Sequence, residues 1–185
     1  VIGAGPSLEK NIEFIKKNKK YVTIAADGVV EILLNKKIKP DIVVSDLDGN
    51  PKYLRMADKF GAIMVIHAHG DNMENLEKHV PKFSKVIGTT QVMPTENVYN
   101  FGGFTDGDRS VFLAEEMRAK SITLIGMDFD NMPRKFSTND RDVDIDIKRK
   151  KLKFAKKLLE MLGKQSKSKL VNKSATRIRG IESQP

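Results

Sequence analysis

Five short segments of this chain are nearly unbroken runs of apolar and β-branched residues: "YVTIAAD" (21–27), "DIVVSD" (41–46), "AIMVIHAH" (62–69), "KVIGTT" (85–90) and "SITLIGMD" (121–128). Strands covered by helices on both faces have this character, because neither face meets water. The runs therefore predict strands of a parallel sheet. Between them the period changes. "SLEKNIEFIKKN" (7–18) places Leu8, Ile12 and Ile15 at helical spacing, and 28–37, 51–61 and 108–120 behave alike. "KRKKLKFAKKLLEMLG" (148–163) is the longest such stretch, with Leu152, Ala155, Leu158, Leu159 and Leu162 on one side and lysines on the other. Residues 130–147 show neither period and predict a long loop, of the kind that often serves as a lid. Repeated β–α alternation predicts a doubly wound α/β fold: a mostly parallel sheet flanked by helices, joined by right-handed crossovers, in a single domain. That domain is expected over 1–163, followed by a basic C-terminal segment over 164–185 that carries a last strand. Val1 falls within an apolar run and is not a methionine, so an N-terminal extension is expected before it.

Composition narrows the classes. The chain has 185 residues, 39% hydrophobic and 31% charged, which is globular rather than disordered composition. No run approaches the roughly 20 apolar residues of a membrane span, and no secretory leader pattern is present. The absence of cysteine excludes disulfides and thiolate metal sites and matches a cytoplasmic setting. The net charge of +9 is unevenly placed: over 148–185, 13 Lys or Arg face only Glu160 and Glu182. Such a segment attracts nucleic acid, anionic lipid or a polyphosphate, and is equally an ordinary solvated face. A nucleic-acid-binding module is the non-enzyme reading. The lack of a reader motif and an aromatic content of 6% weigh against it.

Doubly wound folds bind ligands beyond the carboxyl ends of their strands, and ionisable residues recur there. In "VIGAGPSLEKN", Gly3, Gly5, Pro6 and Ser7 separate an apolar start from a helix. Glycines let backbone N–H groups approach an anion, and Ser7 suits an N-cap. A plain strand-to-helix turn accounts for the same residues. Leu8 breaks the dinucleotide fingerprint and no Gly-Lys-Ser/Thr follows, so neither a dehydrogenase nor a Walker loop is indicated. Asp27, before Gly28, suits a ribose hydroxyl, a metal-bound water or a heterocycle, or caps the next helix. In "SDLDG", Asp46 and Asp48 are two apart, which on a strand places them on one face. Two carboxylates about 4 Å apart repel by roughly 4 kcal/mol at an effective dielectric near 20. A shared proton or a cation relieves this, and hard oxygens beside a phosphate loop suit Mg²⁺. The alternative is an Asp- and Gly-rich turn with one carboxylate capping a helix at Pro51. "HAHGDN" offers His67, His69, Asp71 and Asn72, but only His79 remains as a further ligand, too few for a zinc hydrolase. The histidines suit phosphate or a ring nitrogen, or a structural role. "GGFTDGDRS" brings Thr105, Asp106, Asp108 and Arg109 to a helix start. Arg109 suits phosphate, and the two acids a metal or a substrate amine, unless they simply cap that helix. Asp128 closes the last run.

The order "GAGPSLE", "ADG", "KPDIVVSDLDG", "HAHGDN", "GGFTDGDR" and "GMDF" resembles the archaeal 6-hydroxymethyl-7,8-dihydropterin pyrophosphokinase family from residue 1 to the end of the long helix, and "LVNKSAT" resembles that family's final strand and turn. The "ADG…PD…SDLDG" portion is also similar to thiamin pyrophosphokinase. The resemblance implies transfer of the diphosphoryl group of ATP to the pterin hydroxymethyl group, giving AMP, with Mg²⁺, in pterin cofactor biosynthesis (folate or methanopterin). It implies phosphates on the Gly3–Ser7 turn and near Arg109, Mg²⁺ on Asp46 and Asp48, and ring contacts among Asp27, His69, Asp71 and Asp128. Thiamin pyrophosphokinase and a nucleotide-sugar glycosyltransferase-like relative are the rival enzymes, and a homo-oligomer is compatible with either.

Overall fold

The computed structural model describes residues 1–130 and 145–184. The chain alternates α1 (Leu8–Lys17), β1 (Ile24–Ala26), α2 (Val30–Asn35), β2 (Ile42–Ser45), α3 (Pro51–Lys59), β3 (Ile63–His67), α4 (Met73–His79), β4 (Val86–Thr89), β5 (Val98–Tyr99), α5 (Asp106–Glu116), β6 (Ser121–Leu124), α6 (Ile145–Gln165), β7 (Lys169–Asn172) and β8 (Glu182–Ser183). Each of the five apolar runs contains a strand, and every strand pairing is parallel.

The strands pair in the orders β1-β2-β3-β4-β5 and β6-β7-β8. Ile2 joins the two groups by bridging Ala25 on one side and Ile125 on the other. Its N–H donates to Ile24 O at 2.8 Å, and the Gly3 N–H donates to Ile125 O at 2.8 Å. Ile2 thus lies at the centre of a continuous sheet, with β1–β5 on one side of it and β6–β8 on the other. The crevice above such a reversal is where doubly wound folds hold ligands. Alternate strand residues face opposite layers. Ala25, Val43 and Met64 pack under Leu8, Ile12, Leu33 and Leu54 of α1–α3. Ile24, Val44 and Val65 pack under Val111 of α5 and share their core with Leu159 of α6. The doubly wound α/β expectation is therefore met.

The loop expected over 130–147 is corrected at one end. Residues 131–144 lie outside the described residues, but Ile145–Ile147 form the first turn of α6. Ile145 and Ile147 are exposed, so the apolar stripe begins later than the helix does. β7 pairs with β6 and β8 with β7, so the segment after α6 adds two strands to the sheet. No helix among the described residues is long and apolar enough to cross a membrane.

Candidate active site

Asp27, Asp46 and Asp48 each offer a carboxylate oxygen, and the three oxygens lie within 4.8 Å of one another. Asp46 and Asp48 do not converge by strand alternation, because β2 ends at Ser45. The turn brings them together instead. Leu47 adopts a left-handed φ of 67° with its side chain buried in the core. Ser45 Oγ accepts from the Leu47 N–H at 2.8 Å, and Asp46 Oδ1 from the Asp48 N–H at 3.2 Å. A branched residue held in that region is strained, and such strain collects at functional sites. Asn50 Oδ1 caps α3 by accepting from the Lys52 N–H, so neither aspartate does that work.

Asp27 is buried beneath this turn, accepting from Ser45 Oγ at 2.5 Å and from the Gly49 N–H at 3.1 Å. It does not cap the short helix that follows it. Burial raises its carboxyl to about 6, with the Asp46 charge adding to the effect and the Ser45 bond opposing it. Burial, then the charges of Asp46 and Asp27, push Asp48 up to about 7, while Lys148 pulls it down. Asp106, at the start of α5, is driven well above the usual carboxylate range by burial and by Asp46, Asp27 and Asp48, with Arg109 opposing. Four acids thus crowd one spot, an arrangement that a divalent cation with oxygen ligands relieves.

The Gly3–Ser7 turn is put together differently from the sequence expectation. The Gly3 and Gly5 N–H groups donate to Ile125 O and Gly126 O. Ser7 is at the N-cap position of α1, yet its hydroxyl makes no cap. Instead the Ser7 N–H and Oγ donate to Asp128 Oδ2 at 2.6 Å and Oδ1 at 2.8 Å, and the Ala175 N–H donates to Oδ1 at 2.7 Å. Pro6 has no N–H to offer. The start of α1 already holds an anion, the carboxylate of Asp128, so this turn is a backbone join rather than an open phosphate cradle.

The expected phosphate contact of Arg109 is also corrected. Arg109 is 1% exposed, and its guanidinium donates to Gly102 O, Phe104 O and His67 Nε2. Arginine only donates, so His67 Nε2 accepts and the ring proton lies on Nδ1, facing Thr89 Oγ1 at 3.4 Å. Burial, then the Arg109 charge, lowers His67 to about 4, so it is neutral. Asp108 accepts from the Phe104 N–H, the Thr105 N–H and Thr105 Oγ1, completing a capping box with Thr105. Asn72 ties strand ends together by donating to Asp46 O and His67 O, both at 2.7 Å. His69 faces Asp46, its Nε2 3.7 Å from Oδ2, and its Nδ1 accepts from the exposed Asp71.

These groups border a cleft of about 550 Å³ over the sheet reversal. Its wall takes Gly3, Gly5, Gly28, Asp46, Asp48, His67, Thr105, Asp106 and Asp128 from the expected set. The sequence reading missed Lys148 and Lys151 of α6 and the apolar Phe104, Met127, Phe129 and Leu152, all of which line it. The lysines belong to a Lys-rich helical face, which has the same pattern whether it faces solvent or a ligand.

Residues 1–133 match the family described as 6-hydroxymethylpterin diphosphokinase MptE-like. The chain is 49% identical over 176 residues to the 6-hydroxymethyl-7,8-dihydropterin pyrophosphokinase of Pyrococcus furiosus, covering 92% of this chain and 74% of that protein. This chain belongs to the MptE-like family. Pyrophosphokinases of the same name from Methanocaldococcus jannaschii and Methanothermobacter thermautotrophicus are 45% and 42% identical, each over 88% of this chain and over 73% and 72% of their own lengths. The MptE-like match contains every carboxylate of the cleft, whereas α6 and the two lysines it brings to the cleft lie beyond residue 133. As an MptE-like pyrophosphokinase the protein is a transferase, and ATP is the co-substrate that such a reaction implies.

Proposed function

We infer that the protein moves the diphosphoryl group of ATP to the hydroxymethyl oxygen of 6-hydroxymethyl-7,8-dihydropterin, releasing AMP, with Mg²⁺ held by Asp46 and Asp48. The observation that carries this reading is the convergence of Asp27, Asp46 and Asp48 at the sheet reversal of an MptE-like chain. The donor set is all hard oxygen and over-charged without a cation, which fits Mg²⁺ and does not fit zinc. When bound, Mg²⁺ supplies charge neutralisation on the phosphates. The chain's own residues do the rest. Asp27, clamped by Ser45 and Gly49, fixes the floor under the two ligand acids. Met127, Phe129, Phe104 and Leu152 give the cleft an apolar wall that keeps water from the rings and from the reacting phosphorus. The new bond joins the pterin oxygen to the β-phosphorus, and the bond from that phosphorus to the α–β bridging oxygen breaks, so AMP leaves with the bridging oxygen. The hydroxyl proton passes to Asp106, at the start of α5, whose carboxyl holds a proton more readily than an ordinary carboxylate because it is buried among Asp46, Asp27 and Asp48. A step that consumes ATP supports a cytoplasmic location as part of this proposal.

Incubation with ATP, Mg²⁺ and the pterin alcohol is expected to yield AMP and pterin diphosphate; ADP as the product would overturn the reading. Asp46→Asn and Asp48→Asn are each expected to lower turnover by at least about 100-fold, with the circular dichroism spectrum unchanged. Normal turnover in either variant would remove the metal assignment.

A further inference from the structure

The acid cluster and a triphosphate together carry more negative charge than one divalent ion balances. The remaining positive charge must come from the chain. The groups that look suited to it by sequence are engaged elsewhere: the Gly3, Gly5 and Ser7 N–H groups bond within the protein, and Arg109 is buried behind His67. Among the described residues, the cations lining the cleft are Lys148 and Lys151. They are three apart on α6 and so project from one side of it. Lys148 is half-buried and close enough to Asp48 for the two charges to interact. Its ammonium therefore acts on two ligands with opposite sign. It opposes a bare cation at Asp48, and it attracts the phosphates that a cation brings with it.

We propose that Lys148, seconded by Lys151, is the phosphate-gripping residue of this cleft and favours the metal–nucleotide complex over the metal alone. This rests on the function inferred above and identifies which side chains meet the transferred phosphates. The test uses the whole chain and two titrations: Mn²⁺ alone, followed by electron paramagnetic resonance, and a non-transferable α,β-methylene ATP with Mg²⁺, followed by calorimetry. Lys148→Met is expected to weaken nucleotide binding by roughly tenfold or more and to tighten Mn²⁺ binding several-fold. Lys148→Arg should keep most of the nucleotide affinity. Lys151→Met should show a smaller loss, and Lys153→Met, on the exposed side of α6, none. Wild-type nucleotide affinity in Lys148→Met overturns the inference, as does an equal loss in Lys153→Met. A wild-type protein that binds no Mn²⁺ would defeat the carboxylate site separately, and the nucleotide titration would still judge Lys148.

Discussion

Gly49 shows how closely the acid site is built. A Cβ there would overlap Asp27 Oδ1, because the turn is pressed onto that carboxylate. Gly49→Ala is therefore expected to displace Asp27 and to cut turnover at least about tenfold, with a smaller loss of stability, read by steady-state kinetics beside urea denaturation. Asp48 yields a pH prediction. Its carboxyl is near 7 in the folded chain and near 3.8 when unfolded. Between those values the folded state keeps a proton that the unfolded state has released, so stability falls as pH rises from about 4 to about 7 and levels off beyond. Without metal, Asp48→Asn should accordingly gain stability over wild type across that window, limited to ~1 kcal/mol because Asp48, although its carboxyl is crowded by the turn, still has enough solvent-accessible surface for water to screen it. A thermal midpoint difference that does not grow with pH would contradict this. Asp128 is a different case. Asp128→Ala leaves three donors from Ser7 and Ala175 without their acceptor, and a loss of about 2–4 kcal/mol is expected. At this scale the sequence announced the pairing of Asp46 and Asp48, since two acids that close require a reason. Capping by Asp108 was among its readings, but it did not reveal that Asp128 and Asn72 hold backbone groups, because their partners are up to 121 residues distant.

The five apolar runs and the amphipathic helices were legible as elements because burial on both faces, or on one stripe, leaves a local period. β5 and β8, two residues each, leave none, and the order of strands in the sheet is a matter of long-range pairing that no period encodes. The join between the strand at Ile2 and the loop after β6 is the clearest example. Gly126 has a φ of 67°, and a Cβ on it would overlap Gly3 O. Read alone, Gly3 and Gly5 suggest a phosphate turn; in the fold they allow two backbones to touch. Gly126→Ala is expected to destabilise the protein by more than about 2 kcal/mol, measured as a lower urea midpoint with an unchanged slope. α6 carries the complementary lesson: its stripe gave away Leu159 and Leu162 as core, while the role of its lysines depended on where the helix came to rest.

Across the molecule, the core beneath α5 and α6 includes residues from β1–β3 and from β6–β7 alike. The two strand groups therefore share their packing and should unfold together in a single transition in the absence of ligands, seen equally by circular dichroism and by tyrosine fluorescence. A saturating complex of Mg²⁺ and ATP, at about 100 times its dissociation constant, is expected to add about 2.7 kcal/mol to that transition, and Asp46→Asn should abolish the gain. The central position of Ile2 has a further bearing on synthesis. One flank of its strand is satisfied early, by Ile24 and Ala26, but the other waits for Gly3 and Val1 to meet Ile125. A ribosome must deliver well over a hundred residues before that seam can close, and during this interval the nascent chain carries a raw sheet border open to adhesion with its neighbours.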